Sequence, residues 1–378
     1  MSGPAAGRGL RSLRPLLGRW LRELRTSFAR PEPVSRTPRP FQLLVRGGWE
    51  RREWGKALAT MPVLGGFVFA VMKKRGWESF EESRLLAGRG ADTASRASTR
   101  TLQLPGPKSP AGALPCGRIG DLKLSRLFLG GNLIGGWAHA RDLVYVSRLI
   151  KSYHTDEKVF ETLGLAEACG INTILTNPVL CGIINQYWSQ TRGRIQFISD
   201  CALGDDLNHG IQVSIDGGAH ACYIQGAVAD KLVALRRVEE IGKAIELIRR
   251  NGLPAGIGAH ELTTVRACVE AGVRPDFWVK TLHRCDHSSA RPRTEHDNKW
   301  CTNPAQTIEY MGTLEEPWIA FKILAAGAIE PRDGFRHAFE NGADFICVGM
   351  YDFQIVDNVD LAGEILAGDL RRTRPWRA

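Results

Sequence analysis

Two lysines lie in apolar runs that have the composition of buried strands. Lys280 lies near the end of the run 275–281, and Lys322 lies within the run 318–323. A lysine is rarely buried without a partner or a function, because its ammonium group loses water on burial. If both amines enter one cavity, one lowers the pKa of the other, and a neutral amine can attack a carbonyl carbon. The pair therefore predicts Schiff-base chemistry on a carbonyl compound.

The segment that positions these lysines alternates short β-branched runs with helix-like periodic runs from residue 118 onward. Strands are predicted at 126–131, 172–176, 195–199, 221–225, 255–258, 277–280, 319–323 and 345–348. Helices are predicted at about 155–169, 178–190, 205–217, 236–250, 262–271, 304–314, 332–341 and 358–367. Eight such units in about 250 residues predict an α/β fold, a (β/α)8 TIM barrel over residues 118–370. The alternative is a doubly wound open sheet, but the first strand is not followed by a Gly-x-Gly-x-x-Gly turn.

Polar residues follow the predicted strands, at the end of a barrel where enzymes hold their catalytic groups. They are Asn132, Asn177, Asp200, Gln225, His260, Lys280, Lys322 and Asp352. The predicted catalytic residues are Lys280, Lys322, Asp200 and His260. The predicted substrate-binding residues are Asn132, Arg141, Asn177, Gln225, His283, Gly327 and Asp352. For single residues a structural role is the alternative, since Asn177 before a proline is a good helix cap and Asp352 can begin a turn.

Two loops favour an anionic or sugar-like ligand. Gly327 lies in the run 325–329, which is similar to barrel phosphate sites in which backbone amides bind the anion. Arg141 and Trp137 lie in the long loop after the first strand. Aromatic and arginine side chains near a barrel mouth suit a sugar or a carboxylated compound. We therefore expect a small-molecule substrate.

The stretches 276–281 and 320–329 resemble the sixth- and seventh-strand motifs of the deoxyribose-phosphate aldolase group. The resemblance covers about 276–350. It implies that Lys280 forms the Schiff base and that Lys322 tunes its pKa. Because the strand count assigns these lysines to the sixth and seventh strands independently, the two lines of argument agree.

The same resemblance leaves the proton relay open. Asp200 or His260 could move protons in such a mechanism. The family carries its acid on a different strand, which ends here in Gln225. The alternatives are an ion pair for Lys322 and the binding of a substrate carboxylate or phosphate for Lys280.

A second resemblance concerns the opening of the predicted barrel. Residues 124–131 and 168–173 look like the opening of aldo-keto reductases. In that family the second strand ends in a catalytic Asp, and a catalytic Tyr follows a few residues later. This chain has Asn177-Pro178 at that position and no early Tyr. The resemblance implies the barrel fold and argues against nicotinamide-dependent reduction.

Histidines near the fifth and sixth strands suggest a metal as another hypothesis. The candidate ligands are His260, His283 and His287, and nearby aspartates could complete a set suited to Zn²⁺, Mn²⁺ or Fe²⁺. The alternative is that loop histidines contact substrate hydroxyls. The Schiff-base hypothesis itself requires no cofactor.

The positive charge of the chain is confined to its first third. Residues 1–117 hold 21 Lys and Arg against 8 Asp and Glu, whereas residues 118–378 hold 29 against 32. The predicted barrel therefore gives no electrostatic argument for nucleic-acid binding. The nine cysteines form no C-x-x-C pair, which favours buried free thiols over a disulfide framework.

The N-terminal region is predicted to contain three parts. Residues 1–50 form a disordered basic tail, residues 51–75 resemble a twin-arginine export signal, and residues 76–117 form a linker. Arg51-Arg52 precedes an apolar run over 57–71, which is too short for a confident membrane span. With this leader the chain is similar to uncharacterised bacterial barrel proteins that carry twin-arginine signals. The resemblance implies contact with the export machinery and an exported or envelope-associated protein, and a cytoplasmic protein is the alternative.

These observations predict a TIM-barrel enzyme that acts on a small carbonyl or sugar-like compound. Schiff-base lyase chemistry is the first hypothesis. The alternatives are a metal-dependent isomerase or lyase, an aldo-keto-reductase-like barrel without the usual tetrad, and a non-catalytic sugar-binding barrel.

Overall fold

The computed structural model describes residues 114–137, 143, 145–286 and 300–378 of the 378-residue chain. The predicted tail, the export-signal-like segment and nearly all of the predicted linker lie outside the described residues. Among the described helices, none combines the length and the apolar character that a membrane span requires.

Eight parallel strands close into a barrel, which confirms the predicted TIM-barrel fold. The strands are β3 (Leu127–Gly130), β4 (Thr173–Thr176), β5 (Gln196–Ser199), β6 (Ala221–Ile224), β7 (Ala255–Ala259), β8 (Phe277–Thr281), β9 (Trp318–Phe321) and β10 (Phe345–Gly349). Each strand pairs with the next, and β10 pairs with β3 to complete the ring. A hairpin of β1 (Cys116–Ile119) and β2 (Leu122–Ser125) precedes the barrel.

Helices connect the strands in the order that a parallel barrel requires. They are α1 (Val146–Tyr153), α2 (Asp156–Ala168), α3 (Cys181–Thr191), α4 (Leu207–Asp216), α5 (Gly226–Ala234), α6 (Val238–Arg250), α7 (Leu262–Glu270), α8 (Pro304–Gly312), α9 (Pro331–Glu340) and α10 (Asp352–Ala367). A 3-10 turn at Pro178–Leu180 leads into α3.

The sequence pattern misses three elements and misplaces one boundary. The hairpin, α1 and α5 are absent from the predicted elements, and α10 begins six residues before the predicted start at 358. Helix α5 is short and opens on Gly226, a residue that disfavours helix interiors. The early start of α10 is explained by the side chain of Gln354, whose Oε1 accepts a 3.0 Å hydrogen bond from the Tyr351 N–H.

Alternation along each strand separates two apolar layers. One layer fills the barrel lumen and includes Phe277, Val279 and Ile319. The other lies between the sheet and the helices and includes Trp278 and Trp318. Each fully buried aliphatic or phenylalanine side chain contributes about 1.5–3 kcal/mol, so both layers are needed to hold the fold.

Two glycines allow β7 to approach its neighbours on the lumen side. A Cβ atom at Gly258 would lie 2.6 Å from the Gly226 amide nitrogen and 2.8 Å from the Ile224 carbonyl oxygen. A Cβ atom at Gly256 would lie 2.4 Å from the ring of Phe277. The glycines therefore let β6 and β7 pack closely and leave room for an aromatic lumen.

The amino-terminal end of the barrel is tied together by charged groups. The Asp344 carboxylate, which is fully buried, forms a 2.5 Å ion pair with Arg374 from the C-terminal tail. It also accepts a 3.0 Å hydrogen bond from the Trp318 amide. Arg126 donates to the Asp344 carbonyl oxygen over 2.9 Å. This network lies before the strands begin, so it serves stability and leaves the opposite end for a site.

Candidate active site at the carboxyl end of the barrel

Three neighbouring strand ends bring their polar side chains into contact. Asn177, Asp200 and Gln225 each follow a strand by one residue, after β4, β5 and β6. The Asn177 Nδ2 donates to Asp200 Oδ1 over 2.9 Å, and the Gln225 Nε2 donates to Asp200 Oδ2 over 3.1 Å. Alternate residues of a strand share a face, so these side chains continue the rows that fill the lumen. Three of the predicted site residues thus form one cluster.

Asn177 has both of the roles considered for it. Its Oδ1 accepts a 3.0 Å hydrogen bond from the Val179 amide and so caps the turn after β4. Its Nδ2 donates to Asp200 and to the Ala202 carbonyl oxygen. Because Oδ1 caps the turn, the Nδ2 end of the amide faces Asp200. The cap therefore positions a hydrogen-bond donor for the site.

The Asp200 carboxyl is the titratable group of this cluster. Its residue is 8% exposed, and burial raises its pKa to about 6. Hydrogen bonds from the Ala202 amide, Gln225 and Asn177 favour the carboxylate and limit that rise. A carboxyl with a pKa near 6 can both accept and return a proton at neutral pH, which suits general acid–base catalysis.

The next strand end carries a histidine held by a carboxylate. His260 follows β7 by one residue, and its Nδ1 lies 2.9 Å from Asp230 Oδ2. Asp230, on α5, also accepts from the His260 amide over 3.2 Å and from the Thr264 hydroxyl over 2.7 Å. Burial acts to raise the pKa of Asp230, but the hydrogen bonds outweigh it and the pKa is lowered. An ionised Asp230 fixes the proton of His260 on Nδ1 and gives Nε2 the character of a base.

His260 lies on the lumen side of the sheet, against an aromatic neighbour. Its ring centroid is 5.5 Å from that of Phe321, which follows Ile319 in the lumen-facing row of β9. Below this level the Tyr223 ring fills the lumen, and burial followed by the charge of Asp200 raises its pKa. The carboxyl end of the barrel therefore combines proton-transfer groups, amide groups and aromatic surface.

Lys280 lies on the other face of the sheet. It is aligned with Ala259 of β7 and Ala320 of β9, and both alanines belong to the layer between sheet and helices. Its Nζ donates to the His260 carbonyl oxygen over 2.7 Å and to the carbonyl and hydroxyl oxygens of Thr281 over 3.1 Å each. Three donors thus meet three oxygens, the pattern of an ammonium group that ties β7 to β8.

The pKa of Lys280 is nevertheless lowered. Burial is the main cause, since only 1% of the residue is exposed. The Cys301 thiol and the carboxylates of Asp230 and Glu261 act in the opposite direction. The lowered pKa agrees with the direction expected for a nucleophile, whereas the position of the side chain on the helix side of β8 differs from a lumen-facing amine.

Lys322 and Gly327 lie in a turn of unusual backbone conformation after β9. Lys322 has a φ of 58°, and Ala325, Ala326 and Gly327 follow with φ values of 46°, 55° and 79°. The left-handed region is unfavourable for residues that carry a Cβ atom, by roughly 1–2 kcal/mol each. The Lys322 Nζ lies 5.9 Å from the centroid of the Phe321 ring. The turn leaves Lys322 half-buried, and the convergence of Lys322 and Lys280 on one cavity stays a prediction.

The imidazole of His283 is bound by the backbone through both nitrogens. Its Nε2 accepts a 2.7 Å hydrogen bond from the Cys301 amide, and its Nδ1 lies 2.9 Å from the Arg284 carbonyl oxygen. In the part of the chain that the structure describes, no three His, Cys, Asp or Glu side chains are grouped to hold a metal. His287 lies outside the described residues. The metal set of His260, His283 and His287 therefore stays a prediction.

Among the described residues, Asp352 and Asn132 form no hydrogen bond with the cluster. Asp352 is buried at the start of α10, where it accepts a 2.5 Å hydrogen bond from the Tyr153 hydroxyl and pairs with Lys158 at 3.2 Å. These contacts join α10 to α1 and α2. Asn132 is exposed in the turn after β3. Arg141 lies outside the described residues.

Two residues of the site are missing from the sequence-based prediction. Asp230 is absent from the prediction because its helix, α5, is not predicted. For Phe321 the sequence pattern predicts a place in a strand and no role in the site. A signal for Asp230 does exist, because a buried aspartate one turn inside a short helix needs donors, and a strand-end histidine is a suitable one.

No protein-family model and no curated protein matches the chain. Solved structures with a similar fold include a protein from Pseudomonas aeruginosa described as an aldo-keto reductase, at 18% identity over 66% of this chain and 96% of that one, with a TM-score of 0.47. A truncated 3-deoxy-D-arabino-heptulosonate 7-phosphate synthase from Thermotoga maritima matches at 11% identity over 67% and 91% of the two chains, with a TM-score of 0.41. An aldolase named QR15 matches at 14% identity over 58% and 94%, with a TM-score of 0.38.

These similarities are too remote to argue for an activity. The fold is assigned from the eight strands, which pair in a closed ring. The resemblance to bacterial barrels with twin-arginine leaders stays a prediction.

Proposed function

We propose that this barrel is an enzyme that moves a proton on a small carbonyl or sugar-like compound bound at the carboxyl ends of β4 to β7. The observation that carries the proposal is the Asp200 carboxyl, buried in the lumen-facing row, bound by two side-chain amides and given a pKa of about 6. TIM-barrel enzymes hold their chemistry at this end of the strands.

In the proposed reaction Asp200 removes a proton from a carbon next to the carbonyl group. The C–H bond breaks, its electron pair forms the C=C bond of an enediol, and the carbonyl oxygen becomes a hydroxyl group. His260 in its protonated form donates the Nε2 proton to that oxygen and becomes neutral, and Asp230 keeps the remaining proton on Nδ1. Asp200 then returns its proton to the former carbonyl carbon, while His260 takes the proton of the hydroxyl group on the adjacent carbon, whose oxygen becomes the new carbonyl. Both side chains are restored, and the isomerisation conserves all atoms.

The amide groups and the aromatic ring support the substrate class. Asn177 and Gln225 hold amides at the mouth that can exchange hydrogen bonds with hydroxyl groups. Phe321 offers an apolar face of the kind that sugar rings and carbon chains pack against. Together they favour a neutral polyhydroxylated compound over a large apolar one.

Schiff-base lyase chemistry is the second candidate, and one observation favours it. Burial lowers the pKa of Lys280, which increases the fraction of neutral amine. For this amine to react, Nζ would have to leave the His260 and Thr281 oxygens that it binds. Borohydride treatment in the presence of a carbonyl compound tests it, since a trapped adduct at Lys280 supports the lyase and its absence leaves the proton-transfer proposal.

Proton exchange with solvent tests the proposed function without knowledge of the product. The full-length protein is incubated in D₂O with glycolaldehyde, dihydroxyacetone, glyceraldehyde and a panel of four- to six-carbon aldoses and ketoses. Proton NMR then follows the loss of the C–H signal next to the carbonyl. Wild type is expected to exchange at least one compound, and Asp200→Asn and His260→Gln are expected to slow exchange by about 10²-fold or more.

Asp352→Asn is the matched control, because that carboxylate binds helices α1 and α2 and lies apart from the cluster. It is expected to exchange at the wild-type rate. Exchange that is equally fast in Asp200→Asn contradicts the proposal. A compound that raises the melting temperature with no exchange would show a binding barrel and also contradict it.

A further inference from the structure

A cavity of about 100 Å³ opens on the helix side of the sheet, between the first turns of α7 and α8. Most of its lining residues are hydrogen-bonding or charged, among them Glu261, Arg266, Lys280, Asn303 and Gln306, and His260 and Leu262 also line it. Asn177, Asp200 and Gln225 do not line this cavity, whereas His260 does. The cavity is small for a drug-sized compound and suits a single charged group.

Lys280 brings a buried amine to this cavity, and its hydrogen-bond acceptors among the described residues are neutral. Its three acceptors are the His260 and Thr281 carbonyl oxygens and the Thr281 hydroxyl, all of them neutral. In the described part of the chain Lys280 forms no ion pair. The Asp230 and Glu261 carboxylates act to raise the pKa of Lys280 but do not outweigh burial, so an anion in the cavity would further stabilise the ammonium form.

Arg266 adds a second cation from α7. Its guanidinium lies over the ring of Tyr310 at 5.0 Å from the centroid, and it has no ion pair among the described residues. Stacking on a ring leaves the edge of the guanidinium available for bidentate contacts with an oxyanion. Among the described lining residues, Glu261 supplies one carboxylate against the two basic side chains of Lys280 and Arg266.

The backbone adds donors to the same space. Helices α7 and α8 both begin at the cavity, with Glu261 and Asn303 as their N-cap residues. Neither N-cap side chain forms a capping hydrogen bond. The first-turn amides of two helices therefore point toward a cavity that already holds two cations, and the combined field is that of an oxyanion site.

We infer that this cavity binds the phosphate group of a small phosphorylated compound or of inorganic phosphate. Lys280 supplies the buried charge, Arg266 supplies a bidentate contact, and the first-turn amides of α7 and α8 supply neutral donors. The site lies on the helix side of the sixth barrel strand and shares His260 with the proton-transfer residues, but Asp200 does not line it. A bound phosphate group would therefore anchor a ligand without contacting Asp200.

Calorimetric titration of the full-length protein with inorganic phosphate at constant ionic strength tests the inference. Wild type is expected to bind one phosphate per chain, and Arg266→Gln to weaken binding about tenfold or more. Arg266 is exposed on α7, so its replacement leaves the core intact. Arg250→Gln, an equally exposed arginine at the end of α6, is the matched control and is expected to bind as wild type does.

Two further variants separate this site from the lumen. Lys280→Met is expected to abolish phosphate binding, and Asp200→Asn is expected to change the affinity by less than about twofold. Methyl phosphate is titrated alongside inorganic phosphate, and equal affinity identifies a monoester as the ligand class. Absence of phosphate binding in wild type, or affinity unchanged in Arg266→Gln, overturns the inference. Because proton exchange is read separately, its outcome does not decide this one.

Discussion

Replacement of Asp200 by asparagine is expected to stabilise the folded barrel at neutral pH while it removes the proposed acid–base group. The carboxyl is buried, and its pKa rises from the ordinary 3.8 to about 6. Such a rise corresponds to about 3 kcal/mol of folding free energy lost once the group is ionised in both states. Asparagine has nearly the same shape and no charge, so it avoids this loss.

The hydrogen bonds at Asp200 can be kept in the variant. The asparagine oxygen still accepts from Asn177 Nδ2 and from the Ala202 amide, as Asp200 Oδ1 does at 2.9 and 3.0 Å. Its new NH₂ group faces Gln225, whose side-chain amide can turn over and accept. The change in stability should therefore report the charge rather than broken contacts.

The sign of the effect follows from the two ionisations. Below pH 3.8 the carboxyl is protonated in the folded and in the unfolded chain, and the substitution changes little. Between pH 3.8 and about 6 the unfolded chain ionises first, so wild type loses stability as pH rises. Above about pH 6 the loss is complete and constant. The variant should gain about 1 kcal/mol at pH 4.5 and about 3 kcal/mol at pH 8.

Urea unfolding at pH 4.5 and pH 8 measures both values. Trp278 and Trp318 are fully buried in the barrel, so their fluorescence reports its unfolding. A gain of about 3 kcal/mol moves the midpoint by roughly 1 M for a slope of about 3 kcal/mol/M. Asp205→Asn, at an exposed position, is the matched control and should change neither midpoint. A gain that is equal at the two pH values, or a loss at pH 8, would refute the reasoning.

Three other substitutions follow from the same structure. Arg374→Ala should lower the free energy of unfolding by about 3–5 kcal/mol, because it leaves the buried Asp344 carboxylate without its closest cation, and a urea midpoint that stays in place would contradict this. Asp352→Asn should lower stability by about 1–2 kcal/mol through its contacts with α1 and α2, as thermal unfolding can show, and should leave proton exchange unchanged. Asp230→Asn should slow exchange by about 10²-fold or more and alter its pH profile, because the carboxylate that orients His260 is lost; a profile identical to wild type would exclude that role.

The fold could be predicted because the barrel repeats one unit eight times. Each unit pairs a short apolar strand with an amphipathic helix, and eight such units in a row are compatible with few other folds. The observed boundaries differ from the predicted ones where a local interaction sets them. The side chain of Gln354 at the start of α10 is an example. The missing helix α5 is short and opens on glycine, so propensity gave no sign of it.

The site could be predicted only in part. Asn177, Asp200 and Gln225 follow strands by one residue, and the closed barrel brings neighbouring strand ends together whatever the loops do. The side of the sheet on which Lys280 lies could not be predicted in this way. A shift of one residue along a strand moves a side chain from the lumen to the helix side, and the sequence near residue 280 is apolar on both faces. Asp230 comes from a helix rather than a strand end, so the positions that follow the strands do not include it.

The most direct test of the account is the pH dependence of proton exchange in wild type and in Asp200→Asn. If Asp200 is the base, the wild-type rate should rise about tenfold per pH unit below pH 6 and level off above it, in step with the carboxylate fraction. The variant should be slower by about 10²-fold or more and should lose that inflection. An inflection near pH 6 that persists at an undiminished rate in Asp200→Asn would contradict the account.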